Sequence, residues 1–214
     1  MHRFIRENFS LGPVATVPEI SLYTAGPRSG LWRLAEHDDN FGAPYWAHLW
    51  GGGLALARYI LDHPTSILGR RVLDLGAGSG IVGVAAAKAG ASMVVAADID
   101  SYAMSAIELN GEANQVEVSP MLGDLTSAAL PEVDVVLAGD LFYEEELAAK
   151  ITDCFDRCSR SGITVLVGDP GRAFLPKARF TFLATYAGPD FSMFKPSTEK
   201  TNSVFMFNGS ALAY

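Results

Sequence analysis

Cysteine is nearly absent from this chain of 214 residues. The two present, Cys154 and Cys158, stand four apart, which puts them on one face of a helix rather than across a closed loop, so no disulfide framework is expected. They read as reduced core thiols. Histidine is scarce as well: His2, His37, His48 and His63 lie far from the cysteines, whereas a structural metal needs ligands at short spacing. No metal is expected. Charged residues make up only 19%, too few for a disordered chain. With 16 Lys and Arg against 24 Asp and Glu the net charge is −8, which argues against nucleic acid as a partner, because that affinity comes from basic side chains displacing counterions. Long apolar runs are missing too. The opening MHRFIRENFSLGPVATVPEI has no secretory core, and elsewhere Gly, Asp or Lys breaks each apolar stretch before it reaches membrane-spanning length. A cytoplasmic protein with no membrane partner is the expectation.

What is present is apolar side chain, 49% of the sequence, enough for the core of one α/β domain at this length. Residues 1–43 read as an irregular segment covering the domain, and 44–214 as the domain itself. LYTAGPRSG carries turn signals, and LWRLAEHDDNFGAP ends in a loop at Pro44. The run WAHLWGGGLALARYILDH predicts a helix from about Gly52 to Asp62, closed by Pro64. From Arg70 short apolar runs alternate with amphipathic ones, the pattern of βαβ units. Strands are expected at 71–75, 92–98, 116–122, 133–140 and 163–169, with helices at 79–90, 101–114 and 144–160 between them. Two more strands fit ARFTFLATYAG and TNSVFMFNG, joined by GPDFSMFKPSTEK. The total is a seven-stranded, mostly parallel sheet with helices on both faces and one antiparallel strand near the C-terminus. In such a Rossmann-like sheet ligands sit beyond the carboxyl ends of the strands.

The sharpest segment is VLDLGAGSG, residues 72–80, where the first parallel strand runs into a helix start. Gly76, Gly78 and Gly80 let the backbone turn tightly and approach a ligand, and Ser79 is placed to cap the following helix. Asp98 closes the next strand, 24 residues after Asp74. Together these predict a site for an adenosine-containing cofactor. A dinucleotide site would show Gly-x-Gly-x-x-Gly with pyrophosphate against the helix N-terminus. Here the third glycine comes one residue early, and Asp74 would repel a pyrophosphate while suiting the ammonium of a methionine moiety.

VLDLGAGSG therefore resembles the first motif of class I S-adenosylmethionine-dependent methyltransferases, and a nicotinamide dinucleotide becomes the second choice. That resemblance implies a cofactor site of Asp74, Gly76, Ala77, Gly78 and Gly80, with Asp98 accepting from the ribose hydroxyls and Ile99 beside it. Asp100 points elsewhere. Asp124 falls where the class places a residue beside the adenine, with Leu125 as an apolar wall, and a solvated Asp opening a turn explains Asp124 equally well.

GDLFYEEELA, residues 139–148, sets an acid and two aromatics at the end of the fourth strand, and VGDPGR, residues 167–172, turns the fifth strand so that Asp169 and Arg172 face one rim. The Asp-x-x-Tyr of Asp140 and Tyr143 resembles that of the seven-strand protein lysine methyltransferases called methyltransferase family 16. Within it, PYWAHLWGGGLALARYILDHP, GDLFYEEELA and VGDPGR are most similar to segments of the lysine methyltransferases acting on the electron-transfer flavoprotein β-subunit, over about Pro44 to Arg172. The resemblance implies methyl transfer from S-adenosylmethionine to lysine side chains of a protein partner. Asp140 and Tyr143 would be catalytic, Phe142 and Arg172 would face the substrate, and Trp50 would form part of the cofactor wall. Trp46 and Trp50 also fit as simple cover for the sheet. Two alternatives remain: a small-molecule acceptor, since related sequences are labelled nicotinamide N-methyltransferase-like, and a cofactor-binding assembly factor without turnover.

Overall fold

A computed structural model describes residues 1–26, 29–37, 41–190 and 197–209. The chain forms α1 (His2–Asn8), β1 (Ser10–Val14), β2 (Val17–Thr24) and α2 (Leu31–His37), then a short 3-10 turn at Tyr45–Ala47 and α3 (Gly51–Asp62). The alternating part follows as β3 (Arg71–Leu75), α4 (Ile81–Lys88), β4 (Met93–Asp98), α5 (Ser101–Asn114), β5 (Ser119–Leu122), β6 (Val135–Gly139), α6 (Glu145–Arg160) and β7 (Thr164–Asp169). Strands β8 (Phe180–Asp190) and β9 (Ser197–Phe207) close the fold. Residues 191–196, the middle of the expected connector between them, lie outside the described residues.

The seven-stranded sheet has the order β5-β4-β3-β6-β7-β9-β8. Strands β3 to β7 pair in parallel, and β9 runs antiparallel to both β7 and β8. β9 is therefore the one reversed strand expected from the sequence. β3, β6 and β7 are buried along nearly their whole length, as parallel strands covered on both faces must be. Val72, Val94, Val135 and Leu137 pack in one cluster with α3, α4 and α5. Leu73, Val95, Val136 and Val165 pack in another with Ile151, Cys154, Phe155 and Cys158 of α6. The alternation of strand side chains thus divides the core between the two faces. Both cysteines are buried and free.

The first segment is not irregular as expected. β1 and β2 form an antiparallel hairpin, and Ile5, Val17, Ile20 and Leu22 are fully buried. Gly12, Pro13 and Pro18 disguise the strands, since both residue types are depleted in sheets; what holds the hairpin is burial against α5.

Helix α3 reaches its place because glycines face each other. A Cβ on Gly52 would collide with the carbonyl oxygen of Gly168, and one on Gly139 would lie 2.8 Å from Gly53 Cα. With hydrogen at all these positions, backbone packs on backbone, and the N-terminus of α3 abuts the carboxyl ends of β6 and β7.

Candidate active site

The chain leaves β3 for α4 on one side of the sheet and later returns to β6 on the other, so a crevice opens between the carboxyl ends of β3 and β6. It widens into a cavity of about 900 Å³, within the range of cofactor and substrate sites.

Its floor is the glycine loop. Gly76, Gly78 and Gly80 have φ of +66°, +52° and +79°, left-handed values that side chains rarely adopt. A Cβ on Gly78 would have only Trp46 Cα near it, at 3.6 Å, so that position presents bare backbone to the cavity. The Gly78 N–H donates to Asp98 Oδ2 at 2.8 Å, and the Asp100 N–H to Asp98 Oδ1 at 3.0 Å. Asp100 itself accepts from the Tyr102 N–H and caps α5. Ser79 does not cap α4: the cap position is Gly80, with no side-chain bond. Ser79 is instead buried, and its carbonyl accepts from Asn110 Nδ2.

Asp74 is buried behind the loop, accepting from the Gly83 N–H at 2.8 Å. Burial first, and then the Asp98 charge, push its carboxyl up to about 7. A buried acid so placed is suited to a cationic ligand, which would offset the desolvation of its charge. Asp124 lines the cavity, and Thr126 bonds hold its carboxyl below the usual range. Ile99 offers an exposed apolar surface at the rim. Leu125 is mostly core, though it too lines the cavity.

At the other end stands Asp140, with a left-handed φ of +62°. Its Oδ2 accepts from the Gly52 N–H. Arg172 brings both Nε and Nη2 to Oδ1, at 2.7 Å each. Burial pushes the Asp140 carboxyl up to about 6, with Arg172 pulling the other way. Arg172 also lies 5.9 Å over the Trp50 ring. Asp169 orders this corner by accepting from the backbone N–H groups of Gly171 and Arg172. Tyr143 reaches the mouth, its ring 5.7 Å from Tyr45, and burial pushes its phenol up to about 12, so it stays neutral.

Phe142 does not face the substrate side, contrary to expectation. It is fully buried and meets Phe155 and Phe180 edge-on in the α6 cluster. The chain turns at Asp140, so Phe142 points through to the opposite face while Asp140, Leu141 and Tyr143 line the cavity. Trp46 is buried against Phe9, stacked at 5.6 Å, while still lining the cavity.

Sequence reasoning missed Trp32, Tyr45 and His48, which also line the cavity. Trp32 donates from Nε1 to His48 Nε2 at 3.0 Å, and burial drives that imidazole down to about 4. Sixteen residues separate the pair, and no local spacing announces it.

This fold and this loop define a class I methyltransferase, and the comparisons agree. The model of the ribosomal protein L11 methyltransferase (PrmA) family matches residues 59–161. The electron transfer flavoprotein beta subunit lysine methyltransferase of Danio rerio is 43% identical, over 73% of this chain and 61% of that protein. The protein of the same name from Rattus norvegicus is 37% identical, over 80% of this chain and 69% of its own length. Magnesium protoporphyrin IX methyltransferase from Synechocystis, solved with bound S-adenosylmethionine, shares the fold with a TM-score of 0.52 at 16% identity, over 72% of this chain and 78% of that one. The chain belongs to the family of electron transfer flavoprotein beta subunit lysine methyltransferases, and spans less than two thirds of the length of the Danio rerio member. The cofactor of such a family is S-adenosylmethionine.

Proposed function

We propose that this chain transfers methyl groups from S-adenosylmethionine to lysine side chains of a protein, with the electron transfer flavoprotein β-subunit as substrate. The observation that carries the reading is one continuous cavity in which the glycine loop and Asp98 stand at one end and Asp140, Arg172 and Tyr143 at the other. The identity to relatives bearing that name supports the substrate.

Asp98 would take the ribose hydroxyls, Asp74 the methionine ammonium, Asp124 the adenine amine, and Ile99 and Trp50 the apolar surfaces. When bound, the cofactor supplies an electrophilic methyl on a sulfonium. The protein has little covalent work to do: it holds the acceptor nitrogen in line and excludes water. A lysine arrives protonated, with an ordinary pKa near 10.4. Asp140, pushed up only to about 6, is still some four units too acidic to take that proton efficiently, and its oxygens already accept from Gly52 and Arg172. Its charge orients the entering ammonium. As the ammonium enters the cavity its desolvation lowers the lysine pKa, so the proton would pass to bulk water before the nitrogen reaches the water-excluded line of attack. Tyr143 and Tyr45 flank the alkyl stem.

Among the described residues no helix is long and apolar enough to cross a membrane. The two buried free thiols support a reducing compartment such as the cytoplasm.

The test is incubation of the purified chain with recombinant flavoprotein β-subunit and S-adenosylmethionine, followed by peptide mass spectrometry. Methyl mass increments on lysine are expected. Methylation of nicotinamide but no protein would favour the small-molecule reading, and cofactor binding without any product would favour an assembly factor.

A further inference from the structure

The edge of β2 that does not face β1 is closed by a helix. Two asparagines of α5, Asn110 and Asn114, are buried with at most 9% exposure and stand four residues apart. Four helical residues rise about 6 Å and two strand residues about 6.8 Å, so side chains at this spacing match alternate residues of a strand. The bonds follow that match. Asn114 Oδ1 accepts from the Ser21 N–H at 3.0 Å, and its Nδ2 donates to the Ser21 carbonyl at 2.6 Å. One turn earlier, Asn110 Oδ1 accepts from the Tyr23 N–H at 2.8 Å. The Nδ2 of the same amide donates at 2.8 Å to the carbonyl of Ser79, between Gly78 and Gly80. A second route runs parallel to it: Phe9 stacks on Trp46, whose Cα is the nearest neighbour that a Cβ on Gly78 would meet.

We infer that Asn110 is a positioning residue of the cofactor site, coupling the N-terminal hairpin to the glycine loop. The inference rests on the reading of that loop as the S-adenosylmethionine site. The loop needs three left-handed backbones in five residues, a conformation that surrounding bonds must over-determine. Asp98 holds it from the strand side through Gly78, and Asn110 holds it from the helix side through Ser79. Because one amide serves both the loop and the hairpin, ordering either favours the other, and the coupling is reciprocal.

Amide hydrogen exchange of the full chain, with and without S-adenosylmethionine, tests this alongside calorimetry. In the wild-type chain the cofactor should slow exchange at Tyr23, a backbone that does not line the cavity. Asn110→Ala should weaken cofactor binding by at least about tenfold and diminish the transmitted protection, leaving what the Phe9–Trp46 route carries. Asn114→Ala removes two hairpin bonds, both to Ser21, without touching Ser79 and should weaken binding by less than about threefold. Asn110→Asp retains the acceptor for Tyr23 while losing the donor at neutral pH, and lowering the pH restores a donor on the neutral acid. Its affinity relative to wild type at the same pH should therefore recover on acidification. A wild-type chain that binds no cofactor overturns the reading of the site itself. Normal binding with unchanged exchange at Tyr23, or an Asn110→Ala variant that binds as wild type does, overturns the coupling. A fall in melting temperature alone, with affinity retained, assigns Asn110 to the scaffold and overturns it equally.

Discussion

Arg172 places two of its nitrogens on one oxygen of Asp140, both at 2.7 Å, and the other oxygen is taken by the first turn of α3 through Gly52. An acid that reads in the sequence as free for the acceptor is thus the centre of a lock joining the ends of β6 and β7 to α3. Its charge remains at the mouth of the cavity, and its reach does not.

Asp140→Asn keeps the size and tolerates the left-handed backbone, since Asn enters that region readily. Cofactor affinity should stay within about threefold while methylation falls at least about tenfold, roughly 1.4 kcal/mol of transition-state stabilisation. Asp140→Ala should also lower the melting temperature, through the strained φ and the abandoned guanidinium. Calorimetry and single-turnover methylation check both variants, and full activity in the Asn variant would take Asp140 out of the reaction.

Arg172→Ala leaves a buried carboxylate with less compensation. Because Arg172 lowers the Asp140 carboxyl, its loss raises that pKa, and the acid limb of the methylation rate should move to higher pH. A profile superimposable on the wild type would show that Asp140 need not be ionised.

The buried Asp74 gives a pH dependence of opposite kinds to folding and binding. Its folded pKa, about 7, lies above the ordinary carboxylate value near 4. Its contribution to stability is therefore fully present below about pH 4 and lost as pH rises through about 7. Asp74→Asn should raise the melting temperature of the cofactor-free chain at pH 8 and leave it unchanged near pH 4. Binding runs the other way, because only the ionised acid pairs with an ammonium: affinity of the wild type should rise from pH 6 to 8 with release of a proton, visible in calorimetry across buffers of different ionisation enthalpy. The Asn variant should lose that slope.

Asp98→Ala removes the proposed ribose acceptor and the partner of the Gly78 N–H together. A hydrogen bond to a charged group is worth on the order of 1.5–3 kcal/mol, so cofactor binding should weaken by at least tenfold in a folded chain. Gly78→Val should prevent binding through its Cβ and backbone alone. Retained affinity in either variant, measured by calorimetry, removes that residue from the site.

Local pattern was sufficient for the sheet and its helices, because short buried runs alternating with amphipathic ones allow few other arrangements and β9 continues a visible alternation. It was also sufficient for the glycine loop with Asp74 and Asp98, since a left-handed turn demands glycine in the sequence itself. The direction of side chains at the mouth was not legible. Asp140, Phe142 and Tyr143 are consecutive enough to read as one feature, yet the first is locked by Arg172 and the second points into the α6 core. The N-terminal hairpin was hidden because its strands carry Gly and Pro and are held by asparagines 87 and 93 residues away. Sequence alone determined the parts whose physics is local: period, turn and strand end. Tertiary structure decided which polar atoms meet across the crevice, because a hydrogen bond between distant residues depends on where the backbone brings them and leaves no spacing to read.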